Sequence, residues 1–349
     1  MTTRDIIVVG ASAGGVDALI TLVSGLPKDL PAAVFVVLHF PAHSPSALPQ
    51  ILSRSGKLEA VHARNGAPIQ KGLITVAPPD NHLLIEPGHV HLERGPKENG
   101  HRPAIDPLFR TAALAYGPRV IGVILTGLLD DGTAGLLSVK RRGGVAVVQD
   151  PRDALFSGMP ESALAYVSVD HMRPVADIAH LLVSLTESPA PKEISIATDP
   201  IDVIESGLSS MNPAILQAPD KIGTPAPMSC PDCGGVLNEI RDYGLLRFRC
   251  QVGHGFSPES VLSSQADMVD RTLWRAFSAL DERITLMQRL LHEARSRADH
   301  TAIRRFDAQV GEVEEQKARL WRVLETRSEA AAGPDALVTD HPAGHIDED

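Results

Sequence analysis

Three side chains could form a hydrolytic relay if the fold brought them together: Ser12, His39 and one of the pair Asp130 and Asp131. Ser12 lies in Gly10-Ala11-Ser12-Ala13-Gly14, which satisfies G-x-S-x-G, a tight strand-to-helix turn that projects a serine hydroxyl. Small neighbours suit such a turn because the backbone must come close to whatever binds there. A serine hydroxyl attacks well only when a base within hydrogen-bond reach takes its proton. The base in turn needs an acid to fix its tautomer and stabilise its cation. His39 closes the apolar run Val34–Leu38, and Asp130-Asp131-Gly132 follows the run Val120–Thr126. The same glycine loop admits another reading, a phosphate cradle for a dinucleotide. That fingerprint needs G-x-G-x-x-G and an acidic residue about 20 positions later. Ser12 stands at the middle glycine and His39 where the acid would be, so an oxidoreductase is disfavoured.

The second group able to do chemistry is Cys230-x2-Cys233-x16-Cys250-x3-His254, which holds all three cysteines of the chain. Paired ligands on two turns joined by a short hairpin suit tetrahedral zinc. Three thiolates and an imidazole make a closed, structural site with no open position for water, and catalysis needs no cofactor. A unit of 28 residues, 230 to 257, has too little core to fold without the metal. The serine-bearing region has its own core and is expected to work independently of this unit.

These residues need elements to position them. Residues 4–185 alternate short Val/Ile/Leu runs with helix-like stretches, and the runs Ile6–Val9, Val34–Leu38, Val120–Thr126 and Val145–Gln149 read as strands buried on both faces. The fold class expected is α/β, a doubly wound, mostly parallel sheet. Leu73–Ala77, His82–Glu86 and His89–Glu93 read as a small antiparallel hairpin or meander inserted in it. In open sheets of this kind, sites collect beyond the carboxyl ends of the strands, where Ser12, His39 and the Asp pair all fall. Residues 186–229 shift to Ser, Pro and Ala and read as a linker with some local structure. The zinc-ribbon-like unit follows at 230–257, and Ser257-Pro258 opens a helical hairpin over 258–328. Its seams are Leu273, Phe277, Leu280, Ile284, Met287, Leu291 and Ile303, Phe306, Val310, Val313, Leu320, Leu324, with Lys317 interrupting the second. The hairpin offers a surface for oligomer or partner contacts, or simply steadies the fold. The acidic tail 329–349 holds no Lys or Arg and is expected to be disordered.

Composition narrows the classes. A net charge of −10 with no basic block argues against nucleic acid. No run approaches the ~20 apolar residues of a membrane span, and nothing at the start reads as a signal peptide. A cytoplasmic location is expected.

GASAGG, VVLHFP, TGLLDDGTAG and FSGMP, in this order and spacing over roughly residues 4 to 185, resemble the catalytic domain of the chemotaxis protein-glutamate methylesterases, the CheB family. The resemblance implies that Ser12 is the nucleophile, His39 the general base and Asp131 the residue that orients it. It implies an oxyanion hole of backbone amides from Ala13 and Leu128. Ala13 departs from the threonine common after the nucleophile, and Leu128-Leu129 from a more typical Met-Gly; backbone donors survive both changes. His101-Arg102-Pro103 also resembles a family segment, which makes Arg102 a substrate-contact candidate, with a structural salt bridge an equal alternative. By the same resemblance the substrate is a γ-glutamyl methyl ester on the cytoplasmic helices of methylated chemoreceptors, with glutamine deamidation as a second activity. Only Met1 to Arg4 precede the first strand, so no attached receiver domain is expected. A non-catalytic interaction module of a sensory complex, working through the helical hairpin, is the alternative.

Overall fold

The computed structural model describes residues 3–40, 45–191, 200–217 and 223–331. They fall into two compact units, Met1–Ser264 and Gln265–Asp349.

The first unit is built on a seven-stranded sheet. In chain order its elements are β1 (Ile6–Ala11), α1 (Gly15–Ser24), β2 (Ala33–Leu38), α2 (Leu48–Ser55), β3 (Glu59–His62) and β4 (Leu73–Val76). A hairpin of β5 (His82–Glu86) and β6 (His89–Glu93) follows, then α3 (Ile105–Tyr116), β7 (Val120–Ile124), α4 (Thr133–Arg141), β8 (Val145–Gln149), α5 (Gly158–Tyr166), β9 (His171–Arg173) and α6 (Val175–Glu187). The strand order is β3-β4-β2-β1-β7-β8-β9, and every pairing in it is parallel. The apolar runs take this form because strand side chains alternate between faces and both faces are covered. Ile7 and Val9 pack with Leu19 and Leu22 of α1 and Ile178 of α6. Ile6 and Val8 join Phe109 of α3 and Leu136 of α4 on the other side. From β1 the chain moves first to β2 and later to β7, so the sheet reverses direction at β1 and opens a crevice there.

One expectation changes. Leu73–Val76 does not join the inserted meander. Ile74 and Val76 are buried, and the strand pairs in parallel with β2, Val34 opposite Ile74. A four-residue run alternates in much the same way in either setting, so its pattern did not separate them. Only β5 and β6 form the antiparallel hairpin.

The stretch 186–229 lies partly within the described residues. It contains α7 (Pro200–Ser209) and α8 (Pro213–Leu216), and α7 carries buried Asp202 and Glu205. Both are paired. Glu205 binds Arg110, Arg247 and Arg249, while Glu98 receives Arg110 at 2.8 Å and Arg249 at 3.0 Å. Arg247 and Arg249 lie in the cysteine-bearing sheet of β10 (Thr224–Ser229), β11 (Val236–Asp242), β12 (Leu245–Cys250) and β13 (Gly255–Phe256). This sheet is therefore built into the first unit through a buried ion cluster. Losing one partner of such a cluster leaves buried charge uncompensated, which is why it acts as a lock.

The second unit is an antiparallel pair of helices, α9 (Pro258–Ser296), whose first turns belong to the first unit, and α10 (His300–Ala331). Leu280, Ile284, Met287, Val310 and Val313 form its seam. Asp299 caps α10 by accepting the Thr301 and Ala302 amides at 3.1 and 3.0 Å. Lys317, the break in the apolar pattern, pairs with Asp281 and sits 4.9 Å from the centre of the Phe277 ring. The acidic tail beyond 331 lies outside the described residues.

Candidate active site

The carboxyl ends of β1, β2 and β7 are tied to one another by main-chain bonds. His39 N donates to Ala11 O at 3.2 Å, and Ser12 N donates to Thr126 O at 3.0 Å. Residues 27 and 114 positions from Ser12 thereby arrive beside it. Gly14 takes φ 72°, a left-handed turn that glycine enters without strain, and α1 starts at the next residue. Gly127 lies so near Ser12 Cβ and Met159 that any side chain there would collide.

Ser12 Oγ lies 3.2 Å from His39 Nδ1, and His39 Nε2 lies 2.7 Å from Asp131 Oδ2. The carboxylate can only accept, so Nε2 carries the proton and Nδ1 is free to accept from serine. The side chains of His39 and Asp131 are only 5% and 3% exposed. Asp131 is held at both oxygens. Oδ2 also accepts from Ile105 N at 2.7 Å, at the start of α3, and Oδ1 from Asn99 Nδ2 at 2.9 Å and Gly132 N at 3.0 Å. Burial alone would raise its pKa; the bond to His39, that ring's charge and the Ile105 amide outweigh burial and bring it to about 2. The acid is therefore charged throughout the physiological range.

Asp130 has a different neighbourhood. Its Oδ1 accepts from Ser257 Oγ at 2.6 Å. Burial, and then Glu259 against the opposing Ser257 bond, raise its pKa to about 7. A raised carboxyl favours the folded state fully below its unfolded value of 3.8, and that contribution is lost as pH rises through about 7. Thermal unfolding of Asp130→Asn should therefore depend less on pH between 6 and 8 than that of the parent chain. Identical slopes in the two proteins would contradict this.

His101 stacks on His39 with ring centres 3.7 Å apart and planes 13° off parallel. Burial and then the nearby His39 charge lower its pKa to about 4, so a neutral ring walls His39. A cleft of about 500 Å³ opens over Ser12, Ala13, His39, Phe40, Lys97 and Arg102. The Ala13 and Leu128 amides have no hydrogen-bond partner among the described residues. Leu129, where the family pattern has glycine, takes φ 60°, which costs a leucine roughly 1 kcal/mol. Arg102 lines the cleft with its guanidinium committed to Asp80 Oδ1, at 2.8 and 2.6 Å, and to Gly95 O at 2.7 Å.

Residues 7–182 match the family model described as CheB methylesterase. The chain belongs to the CheB methylesterase family. A putative protein-glutamate methylesterase/protein-glutamine glutaminase of Leptospira interrogans is 39% identical over 183 residues, 52% of this chain and 95% of that protein. A protein-glutamate methylesterase/protein-glutamine glutaminase of Anaeromyxobacter dehalogenans is 37% identical over 182 residues, and the chain spans about half of it, 53%. The crystal structure of the Thermotoga maritima CheB methylesterase catalytic domain superposes with a TM-score of 0.51 at 34% identity, covering 53% of this chain and all of that one. The CheB segment contains the serine, histidine and both aspartates, whereas the cysteine sheet and helical pair lie beyond it. CheB membership makes the chain a carboxylic ester hydrolase by family. No described helix is long and apolar enough to cross a membrane.

Cys230, Cys233, Cys250 and His254 present their ligand atoms within 4.8 Å of one another, a group able to hold a metal ion. Two tight turns present them: Gly234 N donates to Cys230 O at 2.8 Å, and Gly253 N donates to Cys250 O at 3.0 Å. The Cys233–Cys250 sulfurs lie 3.7 Å apart, and His254 Nδ1 lies 3.7 Å from Cys230 Sγ and 3.5 Å from Cys250 Sγ. A tetrahedral zinc with ordinary bond lengths spaces S···S by about 3.8 Å and S···N by about 3.6 Å. The donor set fits.

Sequence reasoning did not single out Asn99, His101 or Asp106. Asp106 is fully buried, and burial and then Asp131 raise its pKa. Its Oδ1 accepts from Gly135 N at 2.7 Å. The short stretch Glu98-Asn99-Gly100-His101, beside the Arg102 that did draw notice, was the available signal.

Proposed function

We propose that this chain is a serine hydrolase of γ-glutamyl methyl esters on the cytoplasmic helices of chemoreceptors, acting in sensory adaptation. The observation that carries the reading is the unbroken chain Ser12 Oγ, His39 Nδ1, His39 Nε2, Asp131 Oδ2, at 3.2 and 2.7 Å on the rim of an open cleft. Ser12 Oγ attacks the ester carbonyl as its proton passes to His39 Nδ1. The negative oxygen of the tetrahedral intermediate is met by the Ala13 and Leu128 amides and by the positive end of α1. His39 then gives the proton to the departing methoxide, and methanol leaves an acyl-Ser12. Water, deprotonated by His39, attacks the acyl carbon, and the serine regains its proton as the glutamate is freed. Asp131 keeps its charge and holds the imidazolium throughout.

The same steps would release ammonia from a glutamine side chain, and the relatives' names include that glutaminase activity. Arg102 contributes a fixed wall of the cleft and is our candidate substrate contact. Such a substrate implies a cytoplasmic setting. The helical pair supplies a surface for partner or oligomer contacts.

The test is methanol release from purified, methylated receptor cytoplasmic fragments, quantified against unmethylated fragments. Methanol in step with the loss of methyl groups is expected; methylated fragments left intact by folded protein would overturn the reading.

We also assign zinc to the four-residue ligand set, where it would tie two turns together and supply no step of the reaction. Protein purified without added metal should carry about one zinc per chain, released with uptake of protons as pH falls. Well under half an equivalent in a chain whose cysteine sheet is still ordered would refute the assignment.

A further inference from the structure

We propose that Asn99 is a positioning residue for Asp131 and that the cysteine-bearing sheet sets it, so that the triad's acid is held in place from the C-terminal part of the chain. This rests on the hydrolase reading above.

Asn99 uses all four of its amide hydrogen-bonding positions. Nδ2 donates to Asp131 Oδ1 at 2.9 Å and to Asp106 Oδ2 at 3.1 Å. Oδ1 accepts from Ser257 N at 2.9 Å and from Ser260 Oγ at 3.1 Å, both just beyond β13. The reversed amide would set its oxygen against two carboxyl groups and its NH2 against two donors, so the partners fix one orientation. The backbone is held from the same side. Asn99 N donates to Gly255 O at 2.8 Å, and Gly255 N donates to Lys97 O at 3.1 Å. Asn99 takes φ 51°, a left-handed conformation that asparagine tolerates better than most residues.

The connection reaches the metal ligands in few steps. Gly255 follows His254, and Arg249 precedes Cys250. Arg249 donates to Gly253 O at 2.7 Å and to Glu98, the residue before Asn99, at 3.0 Å. Lys97 to Asn99 is thus clamped between the Cys250–His254 turn and the buried arginines. A change in the order of the cysteine sheet must either carry Asn99 with it or break these bonds. The first outcome removes a donor from Asp131, which alone among the described residues holds the Nε2 proton of His39, and the second releases the amide orientation that aims Nδ2 at it. The cysteine-sheet side of this connection, Arg249 to Ser260, lies beyond the segment matched to the family model, whereas Asn99 and the residues it holds lie within it.

The test uses the full chain and a small activated ester, 4-nitrophenyl acetate. Asn99→Ala should lower kcat about ten- to a hundredfold, the range for a bond to a charged group, with KM within about twofold. Ser260→Ala should cost less, and the double variant should be no slower than Asn99→Ala, because both act through one connection. Stripping the metal with a chelator should slow the parent chain and leave Asn99→Ala nearly unchanged. A second readout does not depend on turnover. The low-field proton resonance of His39 Nε2–H should shift or broaden in Asn99→Ala and on metal removal, and shift less in Ser260→Ala. An unchanged kcat and resonance in folded Asn99→Ala would overturn the proposal, as would losses that multiply in the double variant. Should Asn99→Ala fail to fold, Ser260→Ala with a parent-like resonance and rate would overturn it equally. Absence of Ser12-dependent turnover in the parent chain would instead count against the hydrolase reading, while the resonance still reports on Asn99.

Discussion

Ser12→Ala should lower ester turnover by roughly 10⁴- to 10⁶-fold, the scale on which a triad nucleophile is lost. Only the hydroxyl is removed, and its one side-chain partner among the described residues is His39 at 3.2 Å. The Cβ that packs against Gly127 is retained, so the turn and the start of α1 keep their geometry. Stability should stay within about 0.5 kcal/mol of the parent chain. Substrate affinity should change little, because the cleft walls are untouched. Initial rates at saturating ester, with a thermal melt as the control, check both parts. Normal turnover in the variant would remove Ser12 from the mechanism.

Asp131→Asn should cost about 10⁴-fold in kcat, and Asp130→Asn should cost little. The contrast follows from what each carboxyl accepts. Asp131 faces donors at both oxygens: His39 Nε2 and Ile105 N on one, Asn99 Nδ2 and Gly132 N on the other. An amide must put its NH2 against one of these pairs. Turned towards His39, it favours the tautomer with the proton on Nδ1, which can no longer accept from Ser12. Turned the other way, it faces Asn99 and Gly132 and leaves the imidazolium without a counter-charge. Asp131→Asn should therefore also be less stable than the parent. Asp130 is held near pH 7 by burial, so it is already partly neutral at physiological pH, and an amide can still accept from Ser257. Rates and melts of the two variants measured side by side decide the matter; equal losses would mean that the acid within the pair is misassigned.

The parts of this site visible in the sequence are those at the ends of long apolar runs. Ser12, His39 and Asp131 each follow a run that can only be a buried strand, and a parallel sheet brings such ends to one rim. Choosing Asp131 over Asp130 needed the family pattern, because two adjacent carboxyls on a turn are equivalent until the fold aims them. The group Cys230, Cys233, Cys250 and His254 was legible because its spacing alone defines two turns. Asn99 was not legible, since apart from Asp106 its side-chain partners come from distant segments, and no periodicity encodes where they meet. Glu205, Arg247 and Arg249 were hidden for a related reason: a charged residue in a short polar stretch reads as solvent-facing until its counter-charges arrive from elsewhere. Those same pairs also tie the cysteine sheet to the first unit, a contact on which the size argument for a metal is silent.

Labelling with a fluorophosphonate puts the central claim to the most direct test, because these reagents phosphonylate a serine only when a neighbouring base activates it. The parent chain should take up one phosphonyl group, on the peptide that contains Ser12, and esterase activity should fall in proportion to labelling. His39→Gln should take up almost none in the same time. Activity that persists after Ser12 is fully labelled, or that is lost with the label on another residue, would contradict the assignment of Ser12 as the activated nucleophile.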